Sequence, residues 1–513
     1  MRGKDLLDAM GEVDSAYVRD AEEAEFKSGR RKRILAGVAT AACVCIVVGI
    51  GYFMLRNVKD GARNPVDGES SGIQPTPGQG FFESESGESF ADYAVVQANY
   101  PECVRFPEEI SPDGEFSEEM EENYRNTMKK WGDQRRERIS ASGNFKDGLY
   151  PFYSATMQEF LVSEEDTNRI YSPLNLYMAL SMLTELTDGN SRAQILNLLG
   201  AADIGAVRES AAALWTANYC DDGTVTSILA NSLWMRQGVQ FIPETMKTLA
   251  DVYHASSFQG QMGSEDFTGA FHSWLNQHTG GLLDGQVENL EMSADTVLEL
   301  ASTIYFSAQW KEKFSKEDTK EDIFYKDGGE IVCDFMHLGN VGTCYKGSNF
   351  SAIRSELELG GDMWLFLPEE TVDVNEVVKN SEVLELIRGH ENWENKISAL
   401  INLALPKFDV VSELDLIEGL EALGLSDIFD AQLADFSPMC ENADGMMVSE
   451  AKHAARVMVD EDGCVAAGYT IMLIEEGAVI STEEIDFVLN RPFLFAITGA
   501  DGSVLFIGVV EEP

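Results

Sequence analysis

An uncharged run of twenty-two residues, ILAGVATAACVCIVVGIGYFML from Ile34 to Leu55, divides the 513-residue chain into a short head and a long body. At 1.5 Å per residue a helix of this length reaches about 33 Å, enough for a hydrocarbon core of roughly 30 Å. A helix buried in a water-soluble protein is rarely apolar on every face, so the run predicts a membrane span. Lys27, Arg30, Arg31, Lys32 and Arg33 precede it, against Arg56, Lys59 and Arg63 soon after. The greater basic excess belongs on the cytoplasmic side, which puts the amino terminus inside and the body outside. The run is long for a cleaved signal, and no strong Ala-x-Ala site follows it. Thr40-Ala41-Ala42-Cys43 has a faint likeness to a lipoprotein cleavage box, but the apolar run continues through it. The expected layout is a cytoplasmic tail at 1–33, an uncleaved signal-anchor at 34–55 and an extracytoplasmic linker at 56–88, rich in Gly, Pro, Ser and Glu. Release of the body by processing is the alternative to permanent anchoring.

Charge and motif content exclude several function classes. With 38 Lys and Arg against 87 Asp and Glu, the formal charge of −49 repels nucleic acid and anionic lipid, so no nucleic-acid partner is expected. Cys43 and Cys45 lie in the apolar run; Cys103, Cys220, Cys333, Cys344, Cys440 and Cys464 are scattered without a C-x-x-C pair and read as mostly free thiols. The six histidines, at 254, 272, 278, 337, 390 and 453, form no H-E-x-x-H and no spacing with cysteine that suits a metal, so neither metal nor cofactor is expected. There is no Walker loop, no dinucleotide fingerprint and no G-x-S-x-G elbow. Abundant carboxylates leave a glycosidase pair open by counting alone, yet no motif points to an enzyme.

The body alternates two periodicities. SPLNLYMALSMLTELT and LDLIEGLEALGL carry apolar residues at helical spacing, whereas VTSILANSLWM, TVLELASTIYF, DMWLFLP and SVLFIGVV read as strands. The strands are too many for a helical bundle and the helices too long for a sandwich, which implies an α+β body with large sheets.

Six blocks, in order, then carry a family resemblance. They are NRIYSPLNLYMALSML (168–183), FHSWLNQHTGGLL (271–283), TIYFSAQWKEKF with Trp310, LPKF (405–408), LGLSDIFDAQLADFS (423–437) and the terminal NRPFLFAITGADGSVLFIGVVEEP. From about Asp92 to Pro513 the chain resembles a serpin, the serine-protease-inhibitor fold. The resemblance implies an α+β domain over 89–513 with mixed sheets, about eight to nine helices and an exposed reactive-centre loop at about 461–484. It also implies a monomer that is not an enzyme. The layout of tail, anchor and body resembles bacterial membrane-tethered or exported members.

In inhibitory members the loop is bait, and after cleavage it enters the large sheet as a new strand, carrying the attached protease with it. The resemblance assigns the hinge to Glu461, Gly463, Cys464, Ala466, Ala467 and Gly468. Strand side chains alternate, so residues two apart share the buried face after insertion. With Cys464 inward, that face is Cys464, Ala466, Gly468, Thr470, Met472 and Ile474, without a charge. Tyr469, large for a hinge, falls on the opposite face. Insertion of roughly ten residues would supply on the order of tens of kcal/mol before chain entropy is counted, making the uncleaved state a kinetic trap. Counting forward from Glu461 and back from Pro492 puts the scissile bond near Gly477 or Ala478. The window Glu476, Gly477, Ala478, Val479 and Ile480 lacks Arg, Lys and aromatic residues. Its small and aliphatic members suit the shallow pocket of an elastase-like protease, while Glu476 suits a glutamate-specific one.

The resemblance also assigns control residues. Ser172 and His453 match the pair at the shutter beneath the opening of the sheet. Ser302 stands where relatives have asparagine, and Asn175 where they have a second serine, so the amide has moved from strand to helix. Trp310 matches the tryptophan at the top of the sheet, the breach. Read without the resemblance, Ser172 is a helix cap before Pro173 and His453 a strand residue. The segment between Cys103 and Gly148 departs most from the family; FSEEMEENYRNTMKKWGDQRRERI in it reads as an elongated first helix or an insertion. No basic helix suits heparin, so no polyanion cofactor is expected. Two function classes follow: a membrane-tethered suicide inhibitor of extracellular serine proteases, or a non-inhibitory serpin acting as a binding protein or cleavable substrate.

Overall fold

Strands and helices alternate along the chain, and the strands sort into two large mixed sheets around one buried helix. The computed structural model describes residues 42–49, 90–107, 118–143, 145–326, 328–464 and 483–513. In chain order the strands are β1 (Ala42–Gly49), β2 (Ala94–Val96), β3 (Arg169–Tyr171), β4 (Cys220–Asp221), β5 (Thr226–Arg236), β6 (Ala255–Gly260), β7 (Leu298–Gln309), β8 (Lys320–Lys326), β9 (Gly329–Lys346), β10 (Phe350–Leu357), β11 (Gly361–Pro368), β12 (Lys396–Pro406), β13 (Phe408–Asp415), β14 (Glu450–Val459), β15 (Gly463–Cys464), β16 (Glu484–Val488), β17 (Phe493–Thr498) and β18 (Val504–Val510). The first sheet runs β13-β14-β1-β7-β5-β6-β2, with β15 added to β7 and β4 to β5. The second runs β16-β12-β9-β10-β11-β17-β18-β3, with β8 on β9.

Eight helices among the described residues have eight or more residues: α1 (Glu118–Ala141), α2 (Tyr150–Leu161), α3 (Pro173–Leu186), α4 (Gly189–Leu198), α5 (Ile204–Asn218), α6 (Pro243–Tyr253), α7 (Glu265–His278) and α8 (Glu382–Gly389). Four shorter α-helical segments accompany them. α3 is the axis of the molecule. Its apolar residues occupy every face, as PLNLYMALSMLTEL shows, and every one of its residues is buried. It packs on β7 of the first sheet and β18 of the second. Pro173 opens the helix and the Ser172 Oγ caps it by accepting the Asn175 N–H.

The strand patterns explain the two sheets. β17 and β18, FLFAIT and VLFIGVV, are buried along their whole length, as continuous apolar runs require. β14 alternates instead, with Ala451, His453, Ala455, Val457 and Val459 buried. α7 covers the far side of the first sheet, where Phe271 meets Trp234 edge-on with ring centroids 5.3 Å apart.

One expectation changes. The membrane helix expected over 34–55 is corrected at Ala42–Gly49, which is a strand lying antiparallel to both β7 and β14. Its Val and Ile residues favour extended backbone, and an apolar run suits a strand with neighbours on both sides as well as it suits lipid. Among the described residues no helix is long and apolar enough to cross a membrane. The tail at 1–33, the remainder of the apolar run and the linker at 56–88 lie outside the described residues. The charged stretch after Cys103 is α1, twenty-four residues long, a helix separate from α2 that packs on α5. Trp131 Nε1 donates to Asp222 Oδ2 at 2.9 Å and Phe106 meets the Trp131 ring edge-on, fixing the helix to the body.

Candidate loop-insertion site

The site is the place between β7 and β14, which β1 occupies, together with the turn that leads out of β14. That turn, Asp460 to Gly463, closes on itself through reciprocal backbone hydrogen bonds of 3.3 Å between Asp460 and Gly463. Gly463 then crosses to the neighbouring strand, where it lies opposite Gln309 and Cys464 lies opposite Ala308. Its φ is +137°, and a Cβ there would stand 2.6 Å from the Ala308 carbonyl oxygen. Only glycine fits this crossing without strain.

Four side chains from outside the turn secure it. Trp310 is buried, donates its indole N–H to the Asp460 carbonyl at 2.7 Å, and stacks edge-on against Phe314. Its backbone N–H donates to the Asp462 carbonyl at 3.2 Å. Glu461 is turned inward and only 4% exposed. Thr319 Oγ1 donates to it at 2.8 Å and Lys407 Nζ pairs with it at 3.2 Å. Burial pushes this carboxyl up, but a backbone N–H, Thr319 and Lys407 outweigh burial and hold it below the usual range. Lys316 pairs with Asp462 at 3.0 Å on the outer side.

Deeper in the gap lies a buried polar cluster. The Ser172 N–H donates to His453 Nε2 at 3.0 Å. Asn175 Nδ2 donates to the Ser302 carbonyl at 2.9 Å, and the Ser302 hydroxyl donates to Asn175 Oδ1. The amide on α3 and the hydroxyl on β7 thus satisfy one another, and α3 is tied to both strands of the gap. Burial depresses the His453 imidazole to about 3, so the ring is neutral, and its Nδ1 has no hydrogen-bond partner among the described residues. The Tyr171 ring stands edge-on to it at 6.1 Å.

The structure therefore brings Ser172, Asn175, Ser302 and His453 into one cluster, and Glu461, Gly463 and Trp310 into another above it. Cys464 is in β15 by its backbone. Ala466, Ala467, Gly468 and the window Glu476, Gly477, Ala478, Val479 and Ile480 lie outside the described residues. Sequence reasoning did not pick out Thr319 and Lys407 as partners of Glu461. Lys407 sits within the LPKF block, but its role depends on a contact across fifty-four residues of chain that no local pattern reveals. No cluster of His, Cys, Asp or Glu suited to a metal occurs among the described residues.

The family model for serpins, described as serine protease inhibitor, matches residues 151–513. Serpin-Z2A of Triticum aestivum is 29% identical over 363 residues, spanning 67% of this chain and 90% of the relative. Plasminogen activator inhibitor 1 of Mus musculus is 28% identical over 382 residues, spanning 69% and 89%. The thermophilic serpin tengpin in its native state superposes with a TM-score of 0.62 at 23% identity, over 72% of this chain and 95% of that one. Human thyroxine-binding globulin complexed with its ligand superposes at 0.59 and 18% identity, over 74% and 99%. These plant and mammalian relatives lend no support to a bacterial, membrane-tethered kinship. Serpins are in general protease inhibitors rather than enzymes, and the α+β fold with its two mixed sheets agrees with these neighbours. With 363 consecutive residues matched by the family model, this chain belongs to the serpin family.

Proposed function

We propose that the chain is a suicide inhibitor of extracellular serine proteases with an elastase-like preference, trapping the acyl-enzyme by insertion of its cleaved loop between β7 and β14. The observation that carries this reading is the start of the inserted strand: Gly463 and Cys464 already pair with the upper end of β7. Continued in the same register, Ala466 would come opposite Phe306, Gly468 opposite Ile304 and Thr470 opposite Ser302. An antiparallel strand fits there, because one with that orientation pairs with both walls of the gap at Ala42–Gly49. Glu461, Gly463 and Trp310 act as the hinge and breach, and Ser172, Asn175, Ser302 and His453 as the shutter that ties α3 to the two strands flanking the inserted loop. The window at Glu476–Ile480 sets the target, its small and aliphatic residues favouring a shallow pocket. The domain from about residue 89 acts as an extracellular monomer.

A second reading has its own observation. Ala42 occupies the place opposite Phe306 that Ala466 would take, and Gly49 lies opposite Glu299 where Leu473 would lie. A sheet filled by the chain's own segment has no room for the loop, and such a molecule is a cleavable substrate or binding protein rather than an inhibitor. Removal of that segment leaves the place between β7 and β14 free. Pancreatic elastase added to the full chain and to the region from Phe81 onward separates the two. A covalent adduct from both supports the inhibitor, an adduct from the shorter form alone shows that residues 42–49 block the gap, and cleavage without adduct in both refutes inhibition of this enzyme.

A further inference from the structure

Outside the insertion site, one pair of reactive side chains lies in contact where α1 and the segment before it meet the body. Cys103, half-buried, shares a hydrogen bond with the thiol of Cys220, which is buried in β4. The Asp221 N–H donates to Cys103 Sγ at 3.4 Å. The flanking chain is fixed on both sides. Val104 N–H donates to Gln134 Oε1 at 2.7 Å, and the same Gln134 side chain donates to the Glu102 carbonyl at 3.0 Å. Two residues on, the Phe106 N–H donates to the Asp222 carbonyl at 2.7 Å. Cys103 Sγ is therefore held beside the start of β4 by contacts that do not depend on Cys220.

We propose that Cys103 and Cys220 form a reversible disulfide that staples the amino-terminal segment, and with it α1, to the start of the first sheet. This inference is independent of loop insertion and of the target protease. The Cys220 hydrogen bond favours the Cys103 thiolate, with help from the Asp221 N–H and the charge of Arg138, whereas the same pairing and burial raise Cys220. Burial raises Cys333, Cys344 and Cys440 instead, so Cys103 is the attacking group. With a low-molecular-weight disulfide such as oxidised glutathione, the Cys103 thiolate attacks one sulfur and expels a glutathione thiolate. The Cys220 sulfur, its proton lost to solvent, then attacks Cys103 Sγ and expels the second glutathione. Two thiols are oxidised and one glutathione disulfide is reduced to two glutathiones.

The test incubates the full chain in oxidised glutathione, alkylates the remaining thiols and maps peptides by mass. The expected result is a Cys103–Cys220 linked peptide pair, with Cys333, Cys344 and Cys440 alkylated. Cys220→Ser is expected to accumulate glutathione on Cys103, and Cys103→Ser to take up none at Cys220. Alkylation of both Cys103 and Cys220 after oxidation would overturn the proposal, as would linkage of Cys103 to another cysteine. Since Cys220 is buried, a folded Cys103→Ser chain gives the decisive second reading: oxidation should raise the melting temperature of the parent by several degrees and leave that of the variant unmoved. Equal shifts in the two would overturn the staple.

Discussion

At the scale of single residues, His453 and its partners form the most exposed point in the account. The imidazole is held neutral, its folded value of about 3 lying below the ordinary 6.5. Below pH 6.5 the unfolded chain binds the proton and the folded one does not, so this group's contribution to stability is complete above pH 6.5 and lost as pH falls toward 3. Between pH 6.5 and 5 the loss from His453 should be about 2 kcal/mol, read by urea unfolding, and a His453→Gln chain should show a flatter acid limb. An unchanged limb would mean that the ring is charged or reached by water. Ser302→Ala removes the hydroxyl that donates to Asn175 Oδ1 and should cost about 1 to 3 kcal/mol, with Asn175→Ala costing less in that background than in the parent. Strict additivity in that double-mutant cycle would deny the shared hydrogen bond. The Gly463→Ala change forces a Cβ onto the backbone of β7 and should cost about 2 kcal/mol while slowing loop insertion. Wild-type stability in that variant would remove Gly463 from the crossing.

At the scale of elements, β18 was legible because SVLFIGVV is a continuous apolar, β-branched run and α3 because its apolar spacing is helical; both follow local rules that the sequence displays. The contact between Ser172 and His453 was legible only through the family blocks, since the two are 281 residues apart in the chain. The fate of Ala42–Gly49 was not legible. An uncharged run has no polar face to reveal its period, and β-branched residues serve a membrane helix and a central strand alike. The docking of α1 was hidden for the opposite reason, its highly polar surface disguising the few contacts at Trp131, Gln134 and Arg135 that attach it. A proline decides between the two placements of the apolar run. Ile46 pairs with Ser302 on one side and His453 on the other, so Ile46→Pro should lower the melting temperature of the detergent-free full chain by several degrees if the strand fills the sheet. No change would mean that the segment does not support the body.

At the scale of the whole molecule, the place between β7 and β14 is filled by β1, so loop insertion requires that segment to be absent. That place takes an antiparallel strand, Gly463 and Cys464 pair with the end of β7, and Ser172, Asn175, Ser302 and His453 tie α3 to both β7 and β14. Cleavage in the loop of the region from Phe81 onward should therefore raise its melting temperature by at least about 10 °C, since the added strand pairs on both sides. The most direct test is the reaction with pancreatic elastase, followed by denaturing electrophoresis and intact mass. The account predicts an adduct that survives denaturation, with the mass of both proteins less a carboxy-terminal peptide that begins near Ala478. Complete cleavage in the loop with no adduct, by elastase and by a glutamate-specific protease alike, would contradict it.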